Sequence, residues 1–343
     1  MRTIDFRVDV LRGGVPYEKM VYTQPPTIYA NYNAAIKMTM RGTFLHHEKI
    51  DYLNDELRPV MMVDGVDHPL GIYRIMTCGD SRSAAGIHYD EIEAYDRASR
   101  LTEAKTETWD YWAAGTAYDT IISHYLMLAG IKHVAFIPSN AVLQSSREDW
   151  DIGTDYLTII NTLLDEINYQ SLWFDNSGVA QIQPYYAPSA NAIQHTYSAN
   201  SGLKSLRPAY TSEIDLYGKP NVFIAILDNP EYDTPLVATA ENDTPASRLS
   251  TISRGIRIPE VYRVDHIASV EGLQDYVNKI RDESMQTSEY VNIETALMPA
   301  HGIGDVVAVA HSDMQGVFRE VEWTLPMQVG QYMTHKLQRV VMI

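Results

Sequence analysis

The closing stretch of the chain, residues 299–343, constrains the fold most because it predicts three β-strands in direct succession. A short apolar run at 306–310 lies between turn residues, and apolar and polar side chains alternate from 317 to 325. A last strand is predicted at 333–342. Three such strands form an antiparallel meander, whose apolar face must be covered by further strands or by closure of the sheet.

The middle strand of this meander has two predicted faces. Side chains alternate across a strand, so Trp323 and Leu325 are predicted on one face, with Phe318 and Glu320 on the other.

Residues 1–105 are predicted to form a small all-β unit. Apolar and polar residues alternate at 4–10, 35–44 and 88–95, and turn residues such as those at 64–71 separate the strands. Six short strands in about 100 residues indicate an antiparallel barrel or sandwich.

The periodicity changes after this unit. Apolar residues at helical spacing predict helices at 116–130 and 155–169, and Asn176-Ser177-Gly178 predicts the turn of a hairpin. Strands return at 210–227, and a third helix is predicted at about 269–288 before the closing meander. A mixed α/β segment therefore separates two β parts.

Short motifs in a fixed order extend over nearly the whole chain. They are Trp173, Asp175 and Gly178 with Pro184-Tyr185; Tyr217 with Pro220-Asn221-Val222; Glu241-Asn242-Asp243; Arg254-Gly255 and Arg257; and the closing GDVVAVAHSDMQGVFREVEWTL with GQYMTHKLQRV. In this order the chain resembles the phage tail hub proteins, which include the hubs of contractile-tail baseplates and their relatives in siphophage tail tips.

The resemblance implies an α+β, mainly β fold with two small antiparallel β-barrels of the tail-tube type. Residues 1–105 would form the first barrel and 106–205 the inserted mixed α/β domain. Residues 206–343 would form the second barrel, with an inserted helix at about 269–288. We expect the meander to close onto the strands at 210–227.

The same resemblance implies a structural hub of a phage or phage-like tail tip or baseplate. Such a hub is a homotrimeric ring with pseudo-six-fold symmetry, which joins the hexameric tail tube to a central tip or spike and lines the channel for DNA or tape-measure passage. The expected partners are the distal tail tube protein ring, the tape measure protein, the central tip or spike protein, and the surrounding baseplate or distal tail proteins. The expected location is the virion tail, after assembly in the host cytoplasm.

Charge and cysteine content argue against several other classes. A net charge of −17 is unsuited to holding nucleic acid by its phosphates or attaching to anionic lipid, so neither specific nucleic-acid binding nor a membrane anchor is expected. The single cysteine, Cys78, excludes an internal disulfide. No apolar run approaches the ~20 residues of a membrane span, and the first residues lack the features of a signal peptide.

No catalytic, cofactor-binding or metal-ligating constellation is predicted. His46-His47-Glu48 lacks a second histidine at the spacing of a zinc-binding helix. His301 and His311 flank a predicted strand with Asp305 between them, and we expect both histidines to face solvent at loop ends rather than to hold a metal.

Other candidate groups have structural explanations. Some acidic residues lie at predicted helix entries and turns, where acidic residues are common. They are Asp149, Asp151, Asp155, Glu241 and Asp243. Ser81, Ser83 and His88 lack the surroundings of a catalytic nucleophile, and Gly302 and Gly304 precede a strand rather than a helix. The chain is therefore not expected to be an enzyme.

Two alternative functions stay open: a tail-associated cell-wall hydrolase and a carbohydrate-binding β-module, which the 23 tyrosines would suit. For a hub, we expect subunit contacts at unpaired sheet edges, at residues 4–10 and 333–342. His335, Lys336 and Arg339 are then interpreted as interface or lumen residues.

Overall fold

The computed structural model of the chain describes residues 2–148, 150–198, 206–214, 217–227, 235–264, 267, 270–286 and 289–340. Strands predominate over helices in these residues, which confirms the α+β, mainly β class. No helix among them is long and apolar enough to cross a membrane.

The secondary structure follows the chain in this order. The strands of the first part are β1 (Ile4–Arg12), β2 (Val15–Met20), β3 (Tyr22–Asn31), β4 (Met38–Leu45), β5 (Glu56–Val63), β6 (Val66–Pro69), β7 (Tyr73–Arg82) and β8 (His88–Asp96). The middle part contains α1 (Ala98–Glu103), α2 (Tyr118–Leu128), β9 (Val134–Phe136), α3 (Tyr156–Glu166), β10 (Trp173–Phe174), β11 (Ala180–Ile182) and β12 (Ile193–Ser198). The last part contains β13 (Leu206–Ile214), β14 (Val222–Leu227), β15 (Leu236–Glu241), α4 (Thr251–Arg254), β16 (Pro259–Val264), α5 (Val270–Gln286), β17 (Glu289–Ala296), β18 (Val306–Ala310), β19 (Gln315–Pro326) and β20 (Tyr332–Arg339).

Most of the strands join one large sheet, in the order β13-β17-β20-β19-β3-β4-β8-β7-β5-β1-β2. The predicted meander β18-β19-β20 is present and antiparallel, and β12 adds to β18 in parallel. β19 also pairs with β3, so strands from both ends of the chain are neighbours. The path runs from β13 to β2 without closing among the described strands, so the two predicted barrels are not confirmed.

One apolar core lies under this sheet and draws side chains from both ends of the chain. Val8 and Ile28 of the first part belong to the same cluster as Phe318 and Leu337 of the last part. All four side chains are buried completely. The two β parts therefore cover each other's apolar faces, which is the cover that the meander requires.

The middle strand of the meander, β19, changes face part-way along its length. Its pairing with β20 is irregular between Glu320 and Glu322. Phe318 before this bulge, and Trp323 and Leu325 after it, all lie in the same core. The predicted placement of Phe318 opposite Trp323 is wrong, because an extra residue in a strand exchanges the two faces beyond it.

The first inserted unit has a core of its own, formed by α1–α3 and the small sheet β10-β11-β9. The predicted helical stripes are found in it: Ile121, Ile122, Tyr125 and Leu126 of α2, and Leu157, Ile160 and Leu164 of α3, are buried. Helix α3 begins after Asp155, whose Oδ1 accepts the N–H of Thr158 at 2.9 Å. This core extends from Ala98 to Ile182, and the domain boundaries near 105 and 205 stay predictions.

A second inserted unit consists of the sheet β15-β14-β16 with α5 packed on it. Phe223 and Ala225 of β14 share a third core with Leu273 and Val277 of α5. The sequence predicts β14 and the helix as parts of the second barrel, but β14 lies in a separate three-stranded sheet on which the helix packs. One apolar face of β14 is buried there, because α5 packs against it. The ends of the predicted helix, residues 269 and 287–288, lie outside the described residues.

Replacing Leu325 by alanine tests the shared core. Leu325 is buried on β19 opposite Ile28 of β3, so the change leaves a cavity where the two β parts meet. We expect the free energy of unfolding to fall by about 2–5 kcal/mol, measured by urea denaturation. Val329→Ala, at an exposed position, is the control and should stay within about 0.5 kcal/mol of the parent. Equal stability of the two variants would contradict the shared core.

A buried carboxyl group gives the stability a pH dependence of known sign. Asp96 accepts the N–H groups of Met38 (3.0 Å) and Ala98 (2.9 Å). Burial nevertheless raises its pKa from 3.8 to about 6. The folded protein thus binds this proton more tightly than the unfolded chain does. The contribution of Asp96 to stability is therefore greatest below pH 3.8 and falls as the pH rises to about 6.

We expect Asp96→Asn to remove this component from the curve of unfolding free energy against pH. The slope between about pH 4 and 6 is the quantity to compare, since the amide also changes the absolute stability. Asp313→Asn, at an exposed position, should retain the parent slope. Parallel curves for the parent and Asp96→Asn would show that Asp96 titrates normally.

Candidate functional site

The two strands predicted to be free edges are largely paired on both sides. β1 pairs with β5 from Ile4 to Leu11 and with β2 from Val8 to Arg12, and β20 pairs with both β17 and β19. The prediction of subunit contacts at unpaired edges is therefore wrong for residues 8–10 and 334–338, whereas residues 4–7 pair only with β5 among the described strands. Residues 341 and 342 lie outside the described residues. A strand's position in the chain does not determine its position in the sheet.

One end of the large sheet is β13, which pairs only with β17 among the described strands. All of its residues after Leu206 are exposed, on both faces of the strand. Arg207 lies 2.6 Å from Glu294, and Thr211 accepts a hydrogen bond from Asn292 at 3.0 Å. β13 is thus attached along one side, while its outer backbone groups are available to a partner.

The other end of the sheet is β2, which pairs only with β1 within the described residues. Val15 and Tyr17 are exposed on this strand. The Arg12 guanidinium lies 4.0 Å from the centre of the Tyr17 ring and holds it in place. The main strand order therefore ends in two edge strands of different sequence, the arrangement that a head-to-tail contact between copies needs, while β12 and β6 branch from it at β18 and β5.

Between the two ends, β3, β4, β8 and β7 form a polar concave surface. Its cavity of about 950 Å³ is lined mainly by hydroxyl and charged side chains, among them Thr23, Thr27, Tyr29, Arg41, Thr43, Thr77, Ser81, Tyr89, Glu91 and Glu93. Arg41 is already paired with Glu93 at 2.6 Å. This surface is hydrophilic and has little electrostatic attraction for phosphate groups.

Two of the acidic residues singled out in the sequence, Asp155 and Glu241, have structural partners. Asp155 caps α3, as described above, and Glu241 accepts a hydrogen bond from Thr251 (2.7 Å) and pairs with Arg257. Asp149 lies outside the described residues. These positions favour the interpretation as helix and turn residues over that of a hydrolytic pair.

A first group of histidines lies beside the β7–β8 hairpin. His46 Nδ1 is 3.1 Å from both carboxylate oxygens of Asp90, and its ring stacks on that of His88 with 3.9 Å between the centres. Ser83 accepts the N–H of Ile87 in the hairpin turn at 3.1 Å. His46 thus contacts a carboxylate and a second imidazole, and it does not belong to a helical zinc-binding motif.

A second group of ionisable side chains lies between β12, β19, β20 and the loop before β18. It consists of His195, His301, Asp305, Glu320 and His335, and is called the histidine cluster below. The expectation that His301 and His311 face solvent is wrong, since both are buried. His311 is apart from the cluster and lies 3.0 Å from the carbonyl oxygen of Pro208.

Glu320 is the centre of the inner half of the cluster. Its Oε2 accepts a hydrogen bond from His301 Nδ1 at 3.0 Å, and its Oε1 accepts one from His335 Nδ1. The second nitrogen of each ring also has a partner: Thr295 Oγ1 is 2.7 Å from His335 Nε2, and the Tyr197 hydroxyl is 3.2 Å from His301 Nε2. The inner half is therefore a satisfied hydrogen-bonded chain in the core.

The electrostatics of this chain keep Glu320 ionised. Burial alone would raise the pKa of Glu320, but the charges and N–H groups of His301 and His335 outweigh it and lower the pKa to about 2. Burial lowers the pKa of His335 in spite of the neighbouring carboxylate. Burial also raises the pKa of Tyr197, so its hydroxyl stays protonated.

The outer half of the cluster borders a cavity of about 360 Å³ between the first inserted unit and the loop before β18. His195 Nε2 lies 3.3 Å from Asp305 Oδ2 and 2.8 Å from the carbonyl oxygen of Ala300. Asp305 Oδ2 accepts the N–H of Gly302 at 2.8 Å, which fixes the carboxylate. His195 and His301 meet edge to face, 5.4 Å between ring centres.

The sequence contains one signal of the cluster, the position of His335 in the last strand. His335 lies between Met333 and Leu337 in the alternation of the last strand, and all three are buried. The interpretation of His335 as an interface or lumen residue is therefore wrong. Lys336 and Arg339 are only partly buried and pair with Glu322 and Glu289, respectively.

No protein-family model and no curated protein sequence matches the chain. Its structure is similar to solved structures of phage tail proteins. The tail protein from Neisseria meningitidis MC58 has a TM-score of 0.68 at 13% identity, covering 98% of this chain and 97% of that chain. The 43 kDa tail protein of prophage MuSo2 from Shewanella oneidensis has a TM-score of 0.67 at 11% identity, covering 98% of each chain. The prophage tail protein gp18 from Listeria monocytogenes has a TM-score of 0.57 at 13% identity, covering 97% of this chain and 94% of that chain.

These likenesses extend over the β parts and both inserted units, because they cover nearly the entire chain. The resemblance noted in the sequence is thereby confirmed at the level of the fold: this chain has the fold of the phage tail and baseplate hub-like proteins.

Proposed function

We propose that the chain is a structural hub of a phage or phage-like tail tip or baseplate. The observation that carries this proposal is the likeness of the whole fold to phage tail proteins. In this role the chain forms a homotrimeric ring with pseudo-six-fold symmetry, which joins the hexameric tail tube to a central tip or spike. Its partners are the distal tail tube protein ring, the tape measure protein, the tip or spike, and the surrounding baseplate or distal tail proteins of the virion.

The two free edges of the large sheet support a ring. β13 and β2 lie at opposite ends of one strand order and differ in sequence, so β13 of one copy can pair with β2 of the next. Repetition of this contact continues the sheet around the ring, and each unpaired edge is then covered. The two tube-like barrels of each copy, residues 1–105 and 206–343, are completed in this way by strands of neighbouring copies.

The β3–β19 contact supports the proposed pseudo-six-fold symmetry. Within one copy this contact joins the first β part to the last, and in the ring the contact between copies joins the last β part of one to the first of the next. Three copies thus present six similar β units, which is the number that a hexameric tube requires.

The polar concave surface of β3, β4, β8 and β7 is the part of the molecule best suited to line the channel. Its hydroxyl groups and acidic side chains, such as Glu91, do not retain a passing polyanion, and its Arg41 is neutralised by Glu93. The overall charge of −17 has the same effect on DNA.

The two alternatives gain no specific support from the geometry. For a cell-wall hydrolase, two of the acidic residues singled out in the sequence are engaged, Asp155 as a helix cap and Glu241 in an ion pair. Zymography on cell walls and glycan-retention measurements distinguish these activities from a hub, for which both results should be negative.

Electron microscopy of the purified protein, alone and together with its tail, is the direct test of the hub. We expect a three-fold ring with a central pore, because pairing between copies covers the edges that β13 and β2 leave open among the described strands. A monomer in both preparations, at all concentrations that the grid allows, would contradict the proposal.

Ile214→Lys tests the β13 edge separately. Ile214 is 40% exposed at the end of β13, and a lysine there would have to be desolvated when the neighbouring copy packs against the strand. We expect the dissociation constant of the ring to rise at least about tenfold, or about 1.4 kcal/mol, measured by mass photometry over a dilution series. Ile252→Lys on α4, at an exposed position away from both edges, is the matched control and should assemble like the parent. Normal assembly of Ile214→Lys would place the contact elsewhere.

A further inference from the structure

We propose that His195, His301 and Asp305, the outer half of the histidine cluster, bind one divalent transition-metal ion of the Zn²⁺ class. The three side chains each offer a ligand atom, and these atoms all lie within 4.8 Å of one another. Two imidazoles and one carboxylate are a ligand set that zinc and its neighbours favour over Mg²⁺ or Ca²⁺. This site is independent of the hub function.

The distance between two of the three ligand atoms fits such an ion. Ligand atoms at about 2.0–2.1 Å from a tetrahedral Zn²⁺ lie about 3.3–3.4 Å apart. His195 Nε2 and Asp305 Oδ2 are separated by 3.3 Å. An ion can therefore enter between them with little movement of either side chain.

His301 has the second partner that metal-binding histidines usually have. Its Nδ1 donates to Glu320 Oε2 at 3.0 Å, which leaves Nε2 as the nitrogen with the lone pair. The Tyr197 hydroxyl lies 3.2 Å from this Nε2, and a bound ion would take its place there. A carboxylate behind a ligating imidazole fixes the tautomer and the ring orientation and makes the imidazole a stronger ligand. The inner half of the cluster thus acts as the support of the outer half.

The loop that carries His301 and Asp305 is held in place from several directions. Gly302 donates its N–H to Asp305, and the Trp323 indole donates to the Gly302 carbonyl at 3.0 Å. Asn176 of the first inserted unit donates to the carbonyl oxygens of Pro299 and His301, at 3.3 and 3.1 Å. A Cβ at Gly302 would lie 2.6 Å from Asp305 Oδ1, so only glycine leaves room for this carboxylate. The ligands are therefore positioned before any ion arrives.

Two of the three ligands are accessible from the cavity. His195 and Asp305 retain 12% and 14% side-chain exposure, whereas His301, Glu320 and His335 are buried. His195 Nε2 also lies 2.8 Å from the Ala300 carbonyl oxygen, and an ion bound to Nε2 would replace this hydrogen bond. The bound ion would connect β12 to the loop before β18.

Titration of the tag-free, full-length protein with Zn²⁺ and with Co²⁺ tests the site. We expect one equivalent of either ion to bind, with visible absorption typical of four-coordinate cobalt and a rise in the thermal midpoint that a chelator reverses. His195→Gln and Asp305→Asn should each weaken binding by about 100-fold or more, because loss of a ligand exceeds the 10–100-fold effect of losing a supporting group. Gly302→Ala should also weaken binding, while all three liganding side chains remain.

His133→Gln and Asp313→Asn, at exposed positions outside the cluster, are the matched controls and should bind like the parent. Circular dichroism and the thermal midpoint measured in the presence of chelator establish whether each variant is folded. If His195→Gln does not fold, Gly302→Ala still tests the site. The absence of stoichiometric binding by the parent would overturn the proposal. Binding that survives His195→Gln and Asp305→Asn but is lost in His335→Gln would also overturn it, since the ion would then belong to the inner half.

Discussion

The pairing of β3 with β19 is the contact on which the rest of the molecule depends. It brings Leu325 opposite Ile28 and Trp323 opposite Ala30, from the two ends of the chain. The length-dependent part of closing a loop of this size costs about 5 kcal/mol. Burial of a large apolar side chain contributes about 1.5–3 kcal/mol, so the completely or nearly completely buried Ile28, Trp323 and Leu325 suffice to offset it. The first and last parts are thus stable as one sheet, although neither closes on itself.

This sheet also explains where the inserted units lie. Each inserted unit begins and ends at a strand of the large sheet. Its two ends are therefore fixed, while its core is separate from that of the sheet. Arg319 of β19 lies near the rings of Tyr32 and Tyr185, 5.0 and 5.8 Å from their centres, and so contacts the first inserted unit from the sheet. Lys279 of α5 reaches Asp165 of α3 at 2.5 Å. The two inserted units therefore contact each other as well as the sheet.

Local periodicity was sufficient to predict most of the strands and all three long helices. The alternation at 4–10 and the stripe at Ile121 and Tyr125 depend on neighbours in the chain, and the structure agrees with both. Strand order was not predictable in this way, because the β3–β19 contact is decided by long-range packing. For the same reason the free edges were assigned to β1 and β20 rather than to β2 and β13.

The candidate site was less predictable than the fold, and the reason is the bulge in β19. Simple alternation puts Glu320 on the face opposite Trp323, where it would be an ordinary surface residue. The irregularity between Glu320 and Glu322 instead puts Glu320 on the core side together with Phe318 and Trp323. His195, for its part, comes from a strand that pairs in parallel with β18, more than a hundred residues further along the chain. No spacing rule connects these residues.

The buried charge of Glu320 has a consequence for the meander itself. An unpaired carboxylate in the core destabilises a protein by about 3–5 kcal/mol, and Glu320 avoids this only by contact with His301 and His335. If β20 slipped by one residue along β19, His335 would turn to the other face and Glu320 would lose one of its two partners. Glu320 thus restricts β19 and β20 to the observed register, and that register holds the support of the outer histidine and aspartate in position.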